Sequence, residues 1–354
     1  MDIELGIIEG FYGRPWSWEE REETVAFLAP HQYRFYLHAP KADVFLRRRW
    51  RDDHPEAEAK RLKALAEHCR KLGVRFGVGL SPYELFLGFD ENARQALRRK
   101  LEFFSAIGVD DLAILFDDMR GDTPDLAKRQ IEIIDWIAER SPAGRLFVCP
   151  SYYSDDPVLD RAFGRRPDGY VEQLGSSLDP KIEIFWTGEE VVSREYSIGH
   201  LQRVTDQLAR RPFLWDNYPV NDGQRMSQFL HLRGFTGRAA TIADHISGHG
   251  VNPALQPTLT RIPALTLVES YRTGTDYRYG EAFRRAATTV LGAELGERLR
   301  EDLLILQDVG LDRLGEKETL IRERWQGVEH DGAREIMSWL DGGYRITNEI
   351  VETQ

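Results

Sequence analysis

Short apolar runs alternate with longer amphipathic stretches along most of the chain, and this alternation restricts the fold more than any other feature. The eight runs are rich in β-branched and aromatic residues, and they are continuous, as in parallel strands buried on both faces. They cover residues 5–12, 33–40, 74–81, 112–119, 146–153, 182–188, 211–218 and 239–246. Eight strands alternating with helices predict an α/β fold, a closed (β/α)8 barrel of the TIM type. A doubly wound open sheet is the alternative, but no strand is followed by a G-x-G-x-x-G turn.

The stretches between the runs carry helix start and stop signals. Glu19 and Glu20 follow Ser17 in a predicted first turn, where the helix dipole favours acidic side chains. Residues 56–73 and 91–108 each end in glycine, which is typical of the position after a helix. Further helices are predicted over residues 125–140 and 194–211.

The strand signals fade after about residue 256, and the rest of the chain reads as several helices. These include residues 296–310 and 331–343. The sequence therefore predicts two parts, a catalytic barrel over residues 1–275 and a short C-terminal helical region over residues 276–354.

Polar and aromatic residues follow nearly every predicted strand at the point where it ends. They are Glu9, Gly10, Phe11, Tyr12, His38, Lys41, Asp117, Asp118, Ser151, Tyr152, Tyr153, Trp186, Thr187, Trp215, Asp216, Asn217, Asn221, Asp222, His245 and Asn252. The carboxyl ends of the strands form the catalytic face of such a barrel. Aromatic rings can stack on a pyranose while carboxylate, amide and ammonium groups bond its hydroxyls, so the composition indicates a sugar site.

Asp117 and Asp118 come directly after five apolar residues, so burial is expected. Two buried neighbouring carboxyls repel each other, and we expect the pKa of one of them to be raised, as a general acid requires. A solvated cap or loop pair is one alternative, and a divalent-metal site without an evident third ligand is another. Adjacent residues are poorly placed to flank both sides of a glycosidic bond, so they favour substrate-assisted catalysis by a 2-acetamido group.

Charge and composition exclude several other functions. The net charge is −11 and the two signs are interspersed, which disfavours a nucleic-acid partner. The densest basic stretch, residues 47–51, is expected to be a solvated face. The two cysteines, Cys69 and Cys149, give no disulfide framework, and no motif indicates a metal or another cofactor. Without a leader-like start or a long apolar run, the sequence predicts a cytoplasmic protein with no membrane span.

Six segments together resemble glycoside hydrolase family 84, which contains protein O-GlcNAcases and bacterial β-N-acetylglucosaminidases. They are GIIEGFYGRPWSWEER (6–21), APKAD (39–43), ILFDDM (114–119), FWTGEEVVS (185–193), WDNYPVND (215–222) and GVNP (250–253). The resemblance extends over residues 3–270. It implies an exo-acting, retaining β-N-acetylglucosaminidase that removes a terminal β-linked N-acetylglucosamine from a glycan or glycoprotein through an oxazoline intermediate.

The resemblance also implies a role for each matched residue. Asp117 would orient the acetamido N–H, and Asp118 would act first as general acid and then as base. The implied substrate contacts are Gly10 and Lys41 at one sugar edge, Asp222 and Asn252 at O4 and O6, Asn217 beside Asp117 or the acetamido group, and Tyr153, Trp215 and Cys149 around the acetyl group.

The chain departs from the family pattern in places. Residues 150–153 read Pro-Ser-Tyr-Tyr where the family usually has Pro-Thr-Glu-Tyr, so different hydrogen bonding is expected behind the pocket. Arg34 and His38 stand where the family often has asparagine and tyrosine. The helical region is shorter than usual, which leaves peptide recognition open.

Two other hypotheses compete with a hexosaminidase. A sugar-binding protein without catalysis could use the same fold, although the presence of both acids argues against it. A metal-dependent hydrolase could use the Asp pair. The histidines His38, His245 and His249 lack metal-site spacing and are interpreted as structural or rim residues, and Asp43 and Asp216 as structural. The oligomeric state is not indicated.

Overall fold

The computed structural model describes residues 3–347 of the chain. Within these residues eight parallel strands close into a barrel, in which each strand pairs with the next and the eighth pairs with the first. The strands are β1 (Leu5–Glu9), β2 (Tyr33–His38), β3 (Arg75–Leu80), β4 (Asp111–Leu115), β5 (Arg145–Cys149), β6 (Glu183–Trp186), β7 (Phe213–Asp216) and β8 (Gly248–Val251). The predicted (β/α)8 barrel is confirmed.

Within the described residues, α-helices follow seven of the eight strands. They are α1 (Trp18–Leu28), α2 (Glu56–Lys71), α3 (Glu91–Ile107), α4 (Leu126–Ala138), α5 (Pro157–Phe163), α6 (Tyr170–Ser177), α7 (Ile198–Leu208) and α8 (Arg261–Thr273). Between β7 and β8 the described chain forms two short 3₁₀ segments, Met226–Gln228 and Ala240–His245. Within the described residues four more α-helices follow the barrel: α9 (Tyr279–Leu291), α10 (Ala293–Leu304), α11 (Glu316–Trp325) and α12 (Asp331–Leu340).

Local signals set the helix ends as the sequence predicted. Ser17 accepts a hydrogen bond from the backbone of Glu20, whose side chain bonds the Ser17 N–H in return, and this capping box begins α1. Gly108 ends α3 in the left-handed conformation at φ 82°, which glycine adopts without strain.

The eighth predicted strand is wrong. Residues 239–246 contain the 3₁₀ segment, whereas the strand that closes the barrel is Gly248–Val251. A Cβ at Gly248 would lie 2.2 Å from the Phe213 ring, and one at Gly250 would lie 2.3 Å from Ile8. The closing strand therefore needs glycine at two of its four positions, which removes the apolar signal that a buried strand usually shows.

Aromatic side chains fill the barrel below its carboxyl end. The Phe147 and Phe185 rings stack at 5.0 Å between centroids, and Phe213 contacts both of them edge-on at 5.1 and 5.5 Å. Trp215 stands perpendicular to Phe185 at 5.3 Å. Such pairs contribute about 0.5–1.5 kcal/mol each beyond their burial. This packing forms a closely packed layer directly below the carboxyl ends of the strands.

The C-terminal helices pack on the barrel through a buried carboxyl group. Glu335 of α12 accepts the backbone N–H groups of Thr258 and Leu259 at 2.7 and 2.9 Å. Burial raises the pKa of Glu335 to about 7. The boundary between the two predicted parts at residue 275 stays a prediction. The outer ends of these parts, residues 1–2 and 348–354, lie outside the described residues. None of the helices within residues 3–347 has both the length and the apolarity needed to cross a bilayer.

Candidate active site

A cavity of about 170 Å³ opens at the carboxyl ends of the strands. Every residue that the sequence assigned to the site lines it: Gly10, Lys41, Asp117, Asp118, Cys149, Tyr153, Trp215, Asn217, Asp222 and Asn252. Sites for drug-sized ligands usually enclose roughly 300–1,000 Å³. The cavity therefore suits a small group such as a single sugar ring.

Asp117 and Asp118 lie just beyond β4 and share one cation. The Lys41 ammonium forms an ion pair with Asp117 and lies 3.2 Å from Asp118 Oδ2. All three side chains are less than a tenth exposed. Asp118 has a left-handed backbone at φ 58°, a strained conformation that clusters at functional sites. The turn after β4 thus places two neighbouring carboxylates around one ammonium group.

Two tyrosines hold Asp118. The Tyr12 hydroxyl donates to Asp118 Oδ2 at 2.7 Å, and the Tyr153 hydroxyl donates to Oδ1 at 3.3 Å. Burial opposes ionisation of Asp118, but the Lys41 ammonium, the Tyr12 hydroxyl and the Arg47 guanidinium outweigh it and lower the pKa of this carboxyl. The expectation of a pKa raised by repulsion is therefore wrong for Asp118, because a cation lies between the two acids.

One carboxylate oxygen of Asp117 has no hydrogen-bond donor among residues 3–347. Its Oδ2 pairs with Lys41, whereas its buried Oδ1 receives no hydrogen bond from any donor within the described range. Buried carboxylate oxygens are normally bonded, because an unmet acceptor carries a desolvation cost. This oxygen is available to an N–H group of a bound ligand.

Trp215 and Gly10 form a tightly fitted wall. A Cβ on Gly10 would lie 2.3 Å from Cζ2 of the Trp215 indole, so only glycine fits beside the ring. The indole N–H donates to Asn217 Oδ1 at 3.1 Å. The position of the Trp215 ring is therefore set from below by Phe185, from one side by Gly10 and at its edge by Asn217.

An amide network joins three strand ends. Asn217 Oδ1 also accepts from Asn252 Nδ2 at 2.9 Å, and Asn217 Nδ2 donates to the Val191 carbonyl at 2.8 Å. The Gly10 N–H donates to Asn252 Oδ1 at 3.4 Å. No hydrogen bond of this network reaches Asp117 within residues 3–347, so Asn217 positions Trp215 and Asn252.

Residues 149–153, at the end of β5 and just after it, contribute to the cavity and to the layer behind it. Cys149 is buried at the wall, and burial raises the pKa of its thiol, so it acts as a small apolar surface. Ser151 receives a hydrogen bond from Gln130 at 2.8 Å, and the Tyr170 hydroxyl accepts the Ser151 N–H at 2.9 Å. Tyr152 turns away and donates to the Gly164 carbonyl at 2.6 Å. Hydroxyl and amide groups thus bond one another behind the pocket.

Sequence reasoning missed several residues of the site. Tyr12 and Thr187 follow predicted strands, but the sequence indicates a role for neither, and both line the cavity. Val191, Gly223, Gln224, Arg225 and Met226 line it as well. The expectation of a solvated face is wrong for Arg47, which is buried 5.7 Å from the Tyr12 ring and 5.6 Å from the Tyr83 ring. Tyr12, which follows the first strand, is the one sequence signal for a buried Arg47, because an aromatic ring can stabilise a guanidinium group away from water.

Two carboxylates near the site have structural partners, as expected. The Asp216 carboxylate accepts hydrogen bonds from Nε and Nη2 of Arg238 at 2.8 and 2.7 Å, and it lies 3.0 Å from His249 Nε2. Asp43 caps its own turn by accepting the Phe45 N–H at 2.9 Å. In the part of the chain that the structure describes, no group of three His, Cys, Asp or Glu side chains could hold a metal ion.

A closed (β/α)8 barrel with paired carboxylates in a pocket of Trp, Tyr and Asn side chains has the architecture of a glycoside hydrolase. The family model for β-N-acetylglucosaminidases matches residues 5–307. The chain belongs to this β-N-acetylglucosaminidase family, and the resemblance to glycoside hydrolase family 84 is confirmed.

Curated and solved relatives agree with the family. The protein O-GlcNAcases of Rattus norvegicus and Mus musculus are each 29% identical over 276 residues, which is 75% of this chain. The chain spans about 30% of the length of these relatives. An aspartate-to-asparagine mutant of an O-GlcNAc hydrolase from Thermobaculum terrenum has a similar structure, with a TM-score of 0.81 and 27% identity over 96% of this chain and 81% of that chain.

Proposed function

We propose that the protein is an exo-acting, retaining β-N-acetylglucosaminidase that hydrolyses terminal β-linked N-acetylglucosamine with the sugar's own acetamido group as nucleophile. The relatives named as O-GlcNAcases support this activity. The observation that carries the proposal is the pair of neighbouring carboxylates around Lys41, one of which has a buried oxygen without a hydrogen-bond donor in the described part of the chain.

The first step forms the intermediate. The sugar lies with its acetyl group against Trp215, Tyr153 and Cys149, and its N–H donates to Asp117 Oδ1. Protonated Asp118 gives its proton to the glycosidic oxygen, and the bond from C1 to that oxygen breaks. The acetamido oxygen bonds to C1 from the opposite face, which leaves an oxazolinium ring whose N–H is stabilised by ionised Asp117.

The second step restores the sugar. Ionised Asp118 takes a proton from water, and the water oxygen bonds to C1 as the bond to the acetamido oxygen breaks. Two inversions at C1 give retained configuration. Asp118 is protonated again for the next cycle.

Lys41 links sugar binding to the protonation state of Asp118. Its ammonium carries three donors, two of which face the carboxylates, so one is available to a sugar hydroxyl. A hydroxyl that draws the ammonium away from Asp118 weakens the interaction that lowers the pKa of this acid. Sugar binding then favours the protonated form that the first step requires.

A turnover assay with matched aryl glycosides tests the proposal. We expect hydrolysis of the N-acetylglucosaminide and no comparable hydrolysis of the glucoside, which lacks the acetamido group. The N-acetylgalactosaminide reports tolerance at O4. Equal turnover of the glucoside would exclude an acetamido nucleophile, and tight binding without turnover would instead identify a sugar-binding protein.

A variant of the acid tests the roles. Asp118→Asn is expected to lower kcat by about 10²- to 10⁴-fold for aryl groups that leave poorly, and much less for activated ones. Asp122→Asn is the matched control, since Asp122 pairs with Arg120 at the surface. Full activity of Asp118→Asn on poor leaving groups would contradict the assignment of the acid.

A further inference from the structure

A second groove lies beside the sugar cavity and shares two of its lining residues. It has a volume of about 600 Å³, and its lining includes Gln224, Arg225, Phe229, Arg313, Arg345 and Ile346. Gln224 and Arg225 line the sugar cavity as well. The loop after β7 therefore borders both spaces, and we call the second one the arginine groove after Arg225, Arg313 and Arg345.

The arginine groove differs in charge from the molecule as a whole. The chain carries a net charge of −11, yet three guanidinium groups face one acid, Asp312, in this groove. Arg313 lies 3.8 Å from Asp312. Arg225 and Arg345 form no ion pair with any residue between positions 3 and 347, and both are exposed. Exposed cations without internal partners create a local positive potential that attracts anionic ligands.

Packing fixes the C-terminal wall of the groove beside the site. Tyr344 and Ile346 are buried on either side of exposed Arg345. The Ile346 N–H donates to Ser227 Oγ at 3.2 Å, and a Cβ on Gly13 would lie 2.8 Å from Ile346 Cδ1. Arg345 is thus held by two anchored neighbours rather than placed on a free tail.

The same contacts put the groove on the side of the proposed general acid. Tyr12 bonds Asp118 through its hydroxyl, and Gly13, the next residue, packs on Ile346. The general acid protonates the oxygen of the departing group. If the proposed function holds, on which this inference rests, that group leaves the sugar cavity toward the arginine groove.

We propose that the arginine groove binds acidic side chains of a polypeptide that carries the sugar, so that the enzyme prefers acidic glycopeptides. The guanidinium groups come from three separate segments, which suits several carboxylates spread along an extended chain. Phe229 and Ile346 offer apolar surface between them, and the Gln224 amide can bond peptide groups. A single uronic acid beside the sugar would engage only the Arg225 end.

The test compares two synthetic peptides that carry β-linked N-acetylglucosamine on one serine, flanked by glutamates or by glutamines. Wild-type enzyme is expected to favour the acidic peptide by roughly three- to thirtyfold in kcat/KM at low salt, from a few exposed ion pairs. Salt near 0.5 M should remove most of this preference. The ratio of kcat/KM for the acidic peptide to kcat/KM for the glutamine peptide should fall toward one in the double variant Arg313→Gln/Arg345→Gln. Hydrolysis of an aryl N-acetylglucosaminide should be unchanged in this variant.

Controls separate the possible outcomes. Arg211→Gln changes an exposed arginine just before β7, at the opposite end of the barrel, and should keep the wild-type ratio. Charge reversal by Arg313→Glu/Arg345→Glu should make the glutamine peptide the better substrate. A wild-type ratio near one with normal aryl hydrolysis overturns this inference alone, whereas absent aryl hydrolysis overturns the proposed function. If the double variant lowers kcat/KM only for N-acetylglucosamine linked to glucuronate, the groove binds an anionic glycan, and the proposal of an acidic polypeptide is wrong.

Discussion

Glu9, at the end of β1, forms a buried ion pair whose removal should cost measurable stability. Arg21 of α1 donates two hydrogen bonds to its carboxylate, both at 2.8 Å. The Tyr36 hydroxyl also donates to it, and His38 Nδ1 lies 3.5 Å away. Burial opposes ionisation, but Arg21 and His38 outweigh it and lower the pKa of Glu9 to about 2.

The magnitude follows from this pKa. The ordinary value is 4.5, and each pKa unit corresponds to about 1.36 kcal/mol, so the native environment stabilises ionised Glu9 by roughly 3 kcal/mol. Breaking a buried pair by removing one partner usually costs about 3–5 kcal/mol, because the other charge stays buried. Glu9→Gln should therefore lower the free energy of unfolding by about 3 kcal/mol at pH 7.

The pH dependence checks the cause. A lowered carboxyl pKa gives stability that is present above pH 4.5 and is lost as the pH falls through about 2. Urea unfolding of wild type and Glu9→Gln, followed by fluorescence and circular dichroism, should show a difference that shrinks to under half its neutral value near pH 3. Glu19→Gln, at an exposed pair, should cost less than about 0.5 kcal/mol. A Glu9→Gln difference that is below about 1 kcal/mol at pH 7, or constant with pH, would refute the reasoning.

Two substitutions in the cavity test its geometry. Gly10→Ala places a methyl group against Trp215, which should cost about 1–3 kcal/mol, a roughly five- to hundredfold loss of kcat/KM, while Gly88→Ala, with open space around it, should leave kcat/KM unchanged. Tyr12→Phe removes a hydrogen bond that lowers the pKa of Asp118, so the alkaline limb of kcat/KM against pH should move to higher pH. An unmoved limb would show that Tyr12 does not act through Asp118.

Most of the fold was predictable because its signals are local. Seven strands, the helix that begins after Ser17 and the helix that ends before Gly108 follow from apolar runs, caps and glycine positions. The eighth strand could not be predicted in this way. Its sequence, Gly248–Val251, is set by the Phe213 and Ile8 side chains that press against it, and these are distant in the chain.

The site was predictable to a different degree. Residues at strand ends converge in any such barrel, so the membership of the pocket followed from the fold and the family resemblance. The charge interactions within the pocket did not follow from the fold or from the resemblance. The pKa of Asp118 depends on Lys41 and Tyr12, which approach it from β2 and β1, and Arg47 is buried because two tyrosine rings enclose it. Contacts of this kind depend on three-dimensional placement that spacing along the chain does not encode.

The most direct test of the central claim changes the nucleophile inside the substrate. A series of aryl glucosaminides with zero to three fluorines on the N-acetyl methyl group makes the carbonyl oxygen progressively less nucleophilic. If this oxygen attacks C1 while Asp117 holds the N–H, kcat/KM must fall stepwise along the series. A flat series would contradict the account and would require a nucleophile supplied by the protein or by water.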